Sequence, residues 1–324
     1  MRVLKFGGKS LDTTEKCNKI CKYIKDIYKN EKQLIIIVSA IGNTTDKLID
    51  LSNSYNYEKC AKKNNLIARR ELAKLLTTGE IQSAALLSIM LNSIGIPAKS
   101  FSASDIEIRT FGDYLNSKIH YINKSKLNDC LSKNIVCVVS GFQGINQNNE
   151  FTTLGRGGSD TTAVALSSIY NLDAEIYSDY DGVFTGDPKL NTYKKIKKID
   201  YNSILKLSKA GAKVLETRSI LIAKKYNTTI IAKSSEKPKL NGTIISNIET
   251  DEILINSNDY LSKISIVFSN SEKTEEIFKN VIKILNNYKI YNLIFQNNTL
   301  EFFINQKDKI IIFNEISAKL KLLK

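Results

Sequence analysis

No stretch of this chain stays apolar long enough to span a bilayer, and the opening MRVLKFGG turns polar too soon for a secretion signal. A cytoplasmic location without a membrane partner is the expectation. The five cysteines (Cys17, Cys21, Cys60, Cys130 and Cys137) form no CxxC pair and are odd in number, which favours free buried thiols over disulfides or a metal site. Histidine occurs once, at His120. That excludes histidine-rich zinc sites and would force any Ser-His-Asp triad through one residue, whose surroundings read as plain helix and give it a structural role. Arginine-rich stretches and interleaved exposed aromatics are missing as well. The net charge of +14 is spread along the chain, its densest cluster being KKIKK at 194–198. Such a surface suits small acidic ligands, nucleotides or carboxylates, better than nucleic acid.

What is present has a clear order. Over the first 240 residues, short β-branched runs alternate with helical patterns. RVLKF (2–6), QLIIIVSA (33–40), PAKSFSA (97–103), IVCVVSG (135–141), AEIYS (174–178) and TTIIAKS (228–234) read as strands. Helices are expected over 14–28, 61–76, 80–94, 116–132, 159–170 and 214–226. Near-continuous apolar strands between helices imply an α/β fold around a mostly parallel central sheet covered on both faces. A composition shift follows: the last proline is Pro238 and the last glycine Gly242. The tail reads as strand 263–268, helix 272–287, strands 291–296 and 299–305, and helix 309–322. This is a small α+β module with helices on one face of an antiparallel sheet, with Ile277, Val281 and Leu285 as the apolar stripe of its first helix. The division expected is 1–246 and 247–324, with 239–252 as the linker.

Several polar motifs fall at strand ends. KFGGKS (5–10) follows the first strand, where Gly7 and Gly8 let main-chain N–H groups turn toward an anion beside Lys5. It is not a Walker A loop. TTLGRGGSDTTA (152–163) places Gly155, Gly157 and Gly158 around Arg156, a fork for a carboxylate or phosphate, before a helix whose positive end faces the ligand. Asp160 in that motif needs a positive neighbour, either a lysine or a metal. SAIGNTTD (39–46) offers the hydroxyls of Ser39 and Thr45, and TTGE (77–80) offers Glu80 at an expected helix start. SDYDGVFTGDPK (178–189) supplies Asp179 and Asp181 before a glycine turn, and GAKVLETRS (211–219) brings Lys213 to another helix start. Capping and turn chemistry could explain each motif alone. Together they form a basic rim with a glutamate and an aspartate, which fits phosphoryl transfer from a nucleotide to an anionic acceptor.

In this order, over about residues 1–246, the motifs resemble those of aspartate kinases in the amino acid kinase superfamily, and the tail resembles a single ACT module by pattern and position. The resemblance implies the three-layer amino acid kinase fold, a catalytic domain over 1–246 and an ACT-like regulatory or dimerisation domain over 247–324. The implied reaction is ATP-dependent phosphorylation of L-aspartate to 4-phospho-L-aspartate, with Mg2+ carried by ATP and no side-chain metal ligand. Its position would be the first step toward diaminopimelate and lysine, threonine and methionine. By motif, Lys5, Asp160 and Lys213 are implied as catalytic, and Ser39, Thr45, Glu80 and Arg156 as aspartate-binding. Lys5, Gly7, Gly8, Ser178, Asp179, Phe184, Lys189 and Lys213 are implied to line the nucleotide site. A homodimer or higher homo-oligomer is expected. The chain departs from the family pattern at Lys9 (usually threonine), Lys189 (arginine), Phe184 (tyrosine) and Glu216 (histidine). Its tail has room for one ACT module rather than two and carries no glycine for an effector loop, so weak or absent feedback by lysine or threonine is expected. The alternatives are a kinase of another amino-acid carboxylate such as glutamate, and a catalytically silent regulatory homologue.

Overall fold

The computed structural model describes residues 1–62, 65–187, 192–209, 215–248, 250, 253–258, 263–269 and 274–322. The chain forms two compact units, one of residues 1–181 and 228–241, the other of residues 182–227 and 242–324.

The first unit begins with β1 (Arg2–Phe6), α1 (Thr14–Asn30), β2 (Leu34–Val38), α2 (Thr44–Ser54), α3 (Tyr57–Ala61) and α4 (Leu66–Ser93). There follow β3 (Ala98–Phe101), β4 (Arg109–Asp113), β5 (Asn116–Tyr121), α5 (Ser125–Ser132), β6 (Val136–Ser140), β7 (Gln143–Ile145), β8 (Phe151–Thr153), α6 (Gly158–Tyr170) and β9 (Ala174–Ser178). The chain then contributes β10 (Lys198–Asp200), α7 (Tyr201–Lys209) and α8 (Thr217–Tyr226) to the second unit and returns as β11 (Ile230–Ser234).

Strands β11, β9, β1, β2, β6 and β3 lie side by side in that order, all parallel. The period of two along a strand divides their side chains between two cores. Leu4, Phe6, Leu34, Ile36 and Val38 pack with α1 and α4, whereas Val3, Ile35 and Ile37 pack with α5 and α6. This gives the expected three layers. Because LIIIV of β2 is buried at every position, each of its side chains contributes on the order of 2 kcal/mol of apolar burial.

Two sequence expectations change here. The two helices expected over 61–76 and 80–94 are one, α4, capped by Asn65, whose Oδ1 accepts from the N–H groups of Ile67 and Ala68. Gly79 therefore sits inside a helix, where glycine costs about 1 kcal/mol relative to alanine. A Cβ there would lie 3.0 Å from the Ala40 Cβ and 3.4 Å from Thr44 Cγ2, so the glycine admits the loop and helix that follow β2. The helix expected over 116–132 is instead β5 followed by α5. Residues 116–121 pair with β4, and β7–β8 complete a four-stranded sheet tied by hydroxyls, Thr110 to Thr152 at 2.7 Å and Ser117 to Thr152 at 3.0 Å. His120 accordingly lies on a strand, edge-on to Phe111 at 6.0 Å.

In the second unit, β10 pairs in parallel with β12 (Thr243–Ser246). Strands β13 (Ile253–Asn258), β14 (Lys263–Phe268), β16 (Thr299–Ile304) and β15 (Ile290–Gln296) form an antiparallel sheet in that order, with α9 (Thr274–Leu285) after β14 and α10 (Lys309–Lys319) after β16. The expected stripe of Ile277, Val281 and Leu285 is buried against Ile264, Ile266 and Phe268. The sheet is covered on both faces rather than one, because α7 packs on β13 and β14, and Ser265 and Val267 are buried as well. The compact units thus divide elsewhere than at 246/247, for Tyr193 lies in the core of the tail and α7 packs on its sheet. None of the described helices is long and apolar enough to cross a membrane.

A charged network fastens the middle of the first sheet. Glu175 on β9, 8% exposed, takes two hydrogen bonds from Arg2 (2.7 and 2.8 Å) and one from the Tyr177 hydroxyl (2.8 Å), with Lys233 at 3.3 Å. Burial, then the adjoining Glu175 carboxylate, raises the Tyr177 pKa so that the phenol stays protonated. Removing one partner of such a cluster strands the others without charge balance. Glu175→Ala is expected to cost about 3 kcal/mol of unfolding free energy, read as a lowered urea midpoint, and Glu175→Gln less.

Candidate active site

Parallel strands end on a common edge, and in an open α/β sheet the ligand crevice lies outside the carboxyl ends where the strand order reverses. That point here is β1, flanked by β2 on one side and β9 on the other. Lys5 is the penultimate residue of β1 and is 8% exposed. Two residues beyond Val3, it emerges on the α6 side of the sheet. Asp160, in the first turn of α6, meets it there with Oδ1 2.6 Å from Nζ. Oδ1 is buried and has no other partner among the described residues, and the ammonium, with three N–H donors, keeps capacity for a further anion.

The glycines make this approach possible. Gly155 and Gly157 have φ of +74° and +64°, a region open to glycine at little cost. A Cβ on Gly158 would sit 2.8 Å from the Phe142 ring, and one on Gly141 would sit 2.8 Å from Ser159. The cluster in TTLGRGGSD therefore serves close packing within the protein, drawing the N-terminus of α6 onto the sheet edge. Gly8 behaves likewise: its Cβ would lie 2.3 Å from the Ala40 carbonyl, and its own carbonyl accepts from Gly42 N–H at 3.0 Å. At Gly7 the nearest atom to a Cβ would be Lys5 Nζ at 3.5 Å. Gly7 is the one that leaves space beside the cation.

The loop after β2 continues the edge. Ser39 donates its N–H to the Phe6 carbonyl at 3.2 Å, and Ala40 donates its N–H to Glu80 Oε1 at 3.2 Å. Glu80 is not at a helix start but in the middle of α4, 3% exposed, with its Oε2 lacking any partner. Its position owes nothing to the helix dipole. Burial pushes its pKa from 4.5 up to about 8, against the smaller opposing effect of the Ala40 hydrogen bond. Thr45 is half-buried in the first turn of α2, and Arg156 is exposed and makes no ion pair with a described residue. Ser178 closes β9; its hydroxyl accepts from Tyr180 N–H at 3.2 Å and its carbonyl from Ser235 N–H at 2.7 Å. Asp179 is 3.5 Å from Lys9 Nζ, so the added lysine turns outward into an exposed pair that links the loops after β1 and β9.

The sequence reading missed Ser10, whose buried hydroxyl has no partner beside these loops. Its only signal was its place two residues after Gly8. Phe184 belongs to the second unit, where it pairs with Lys195. Lys189 and Lys213 lie outside the described residues. Within the first unit the edge offers a paired cation, an exposed arginine, hydroxyls and a buried carboxyl, a set suited to holding two anionic groups and an amine.

Residues 1–233 match the amino acid kinase family. The chain is 35% identical over 266 residues to the aspartokinase of Corynebacterium glutamicum, covering 77% of this chain and 61% of that one. It is 39% identical over 235 residues to the aspartokinase of Thermus thermophilus, covering 72% and 56%. It thus spans about three fifths of the length of these curated relatives. Among solved structures, the aspartate kinase from Synechocystis aligns with all of this chain and 56% of its own, at 28% identity and a TM-score of 0.65.

Glu80 makes stability depend on pH. Its folded-state pKa is raised, so the folded chain keeps a proton that the unfolded chain releases, and the stabilising contribution is complete below 4.5 and lost as pH rises toward about 8. At full difference the slope is about 1.4 kcal/mol per pH unit. Urea midpoints of the wild type should fall relative to Glu80→Gln between those limits and run parallel outside them.

Proposed function

This chain belongs to the amino acid kinase family, and we propose that within it the protein transfers the γ-phosphoryl group of ATP to the side-chain carboxylate of L-aspartate, giving 4-phospho-L-aspartate and ADP. The observation that carries the reading is the pairing of opposites on one strand edge, Lys5 held by Asp160 and Glu80 with a free buried carboxyl oxygen. The first suits a transferring phosphoryl group and the second an ammonium. The names of the relatives and the SAIGNTTD and GRGGSD motifs support aspartate over glutamate.

The reaction needs no general base, because a carboxylate acceptor is ionised at neutral pH. What it needs is two anions held in line and a cation where charge spreads in the transition state. Lys5 takes that place, oriented by Asp160, with Lys213 as a second cation. Arg156 forks onto the acceptor's α-carboxylate, Ser39 and Thr45 donate hydroxyls to it, and Glu80 receives the amino group. Gly8 offers its N–H group to the polyphosphate, Gly7, whose N–H donates to the Tyr177 carbonyl at 3.3 Å, leaves room beside it, and Ser178, Asp179, Phe184, Lys189 and Lys213 attend the nucleotide. Among the described residues no three carboxylate, thiol or imidazole side chains group to hold a metal; Mg2+ would come on the polyphosphate and neutralise its charge. Residues 1–246 would carry the transfer, and 247–324 would form an ACT-like module that joins copies of the chain in a cytoplasmic homo-oligomer with weak or no response to lysine or threonine.

A hydroxamate assay of the acyl phosphate with aspartate and glutamate in parallel tests the acceptor. Product with glutamate alone, or ATP binding without turnover, would remove the proposal. Lys5→Ala should lower kcat at least about a hundredfold in folded protein. An ammonium docking on Glu80 should also draw off its proton. Calorimetry of aspartate binding at pH 7 in buffers of different ionisation enthalpy should register proton release that Glu80→Gln abolishes.

A further inference from the structure

Phe184 stands on a short ribbon in which two stretches, 183–187 and 192–196, run antiparallel. Ile196 N–H donates to the Val183 carbonyl and Thr185 N–H to the Lys194 carbonyl, each at 2.9 Å. An isolated two-stranded ribbon is marginal in water and takes its geometry from whatever it packs on. This one is gripped by the last part of the chain at three points. The Thr185 carbonyl accepts from Ile255 N–H at 2.9 Å, on β13. The Leu322 carbonyl accepts from both limbs, from Thr185 Oγ1 at 2.7 Å and from Lys194 N–H at 3.1 Å. The Tyr193 ring stands edge-on to Phe313 of α10 at 5.9 Å, and its hydroxyl meets Ser317 Oγ at 2.9 Å.

These contacts are core contacts. Tyr193 is 1% exposed and packs in one cluster with Ile264, Phe302 and Phe313. Gly186, in the opposite limb, could not carry a Cβ, which would lie 2.5 Å from the Tyr193 ring. The ring is thus clamped between the ribbon and α10, and its place depends on both. Side chains clamped in a close-packed core pass on a displacement rather than absorb it.

We propose that Tyr193 is a positioning residue for the nucleotide: with Thr185 it ties the ribbon bearing Phe184 to α10 and Leu322, so that the module of residues 253–322 sets nucleotide affinity without touching the ligand. The inference rests on the reading that this ribbon attends ATP. It assigns the module an effect on the nucleotide and none on the acceptor, because none of the proposed acceptor-binding residues belongs to the ribbon.

The test is titration of the full chain with a fluorescent ATP analogue in the presence of Mg2+, beside steady-state KM values for both substrates. Tyr193→Ala should weaken nucleotide binding by at least about tenfold, the scale of a misplaced contact surface, and leave the acceptor KM within about twofold. Tyr193→Phe, which keeps the ring, should lose less than about threefold. A folded Tyr193→Ala protein with unchanged nucleotide affinity, or one in which both substrates weaken together, overturns the proposal. If that variant does not fold, Thr185→Val decides, since it removes the hydroxyl grip on the Leu322 carbonyl. Weakening of nucleotide binding by at least about threefold in it supports the proposal, and a smaller change overturns it. A wild type that binds nucleotide yet phosphorylates no aspartate refutes the proposed acceptor while this comparison still stands. A wild type that binds no nucleotide refutes both.

Discussion

An ammonium held at the end of a buried central strand constrains everything around it. Lys5 follows a run of side chains with almost no exposure, and a cation there needs an anion or it would lower stability sharply. Asp160 answers that need at 2.6 Å, and much of the local architecture exists to let it arrive. The helix carrying it must start close against the sheet, which accounts for the two glycines with positive φ before α6 and for Gly158 and Gly141 where side chains would collide. An ammonium has three donors, so a bound anion can join the pair without first breaking it.

Glu80 is the complement. It is a carboxyl buried in the middle of a long helix, with the Ala40 N–H as donor and no cation among the described residues to offset it, so it holds its proton until an ammonium or another cation approaches. The strand edge is therefore polarised by packing: a neutral acid where an amine would dock, a cation where phosphate would. Gly8 and Gly79 connect the two, each allowing the loop after β2 to close against its neighbour. A mutation that widened either approach would disturb the acid and the loop bearing Ser39 together.

The second unit follows different physics. Its antiparallel sheet is covered by helices on both faces, and its core reaches into residues that the motif order associates with the nucleotide. Tyr193 has no catalytic chemistry to recommend it; it matters for where its ring is packed. Whether the module also binds effectors is a separate matter from this mechanical link, which needs no ligand to act.

The alternation of LIIIV, VCVVS and AEIYS with helical stretches was sufficient to specify a parallel sheet between helices, because strand and helix periodicities are local properties of the chain. So were the strand-end motifs, whose residue types already implied a site for anions. Other features lay beyond local reading. TTGE looks like a helix start because glycine and paired threonines break helices in isolation, yet packing against Ala40 and Thr44 carries α4 straight through it. Residues 116–121 could be a strand only because β4 was there to pair with them. The glycine cluster signalled close approach, but the approaching atoms turned out to be those of Asn116, Phe142 and Leu154 of the same chain. Composition and spacing determined which groups this protein possesses and the layers that carry them. Only the tertiary structure decided which groups meet, which lose their water, and hence which carboxyl is a charge and which an acid, since desolvation and partnership arise between segments distant in sequence.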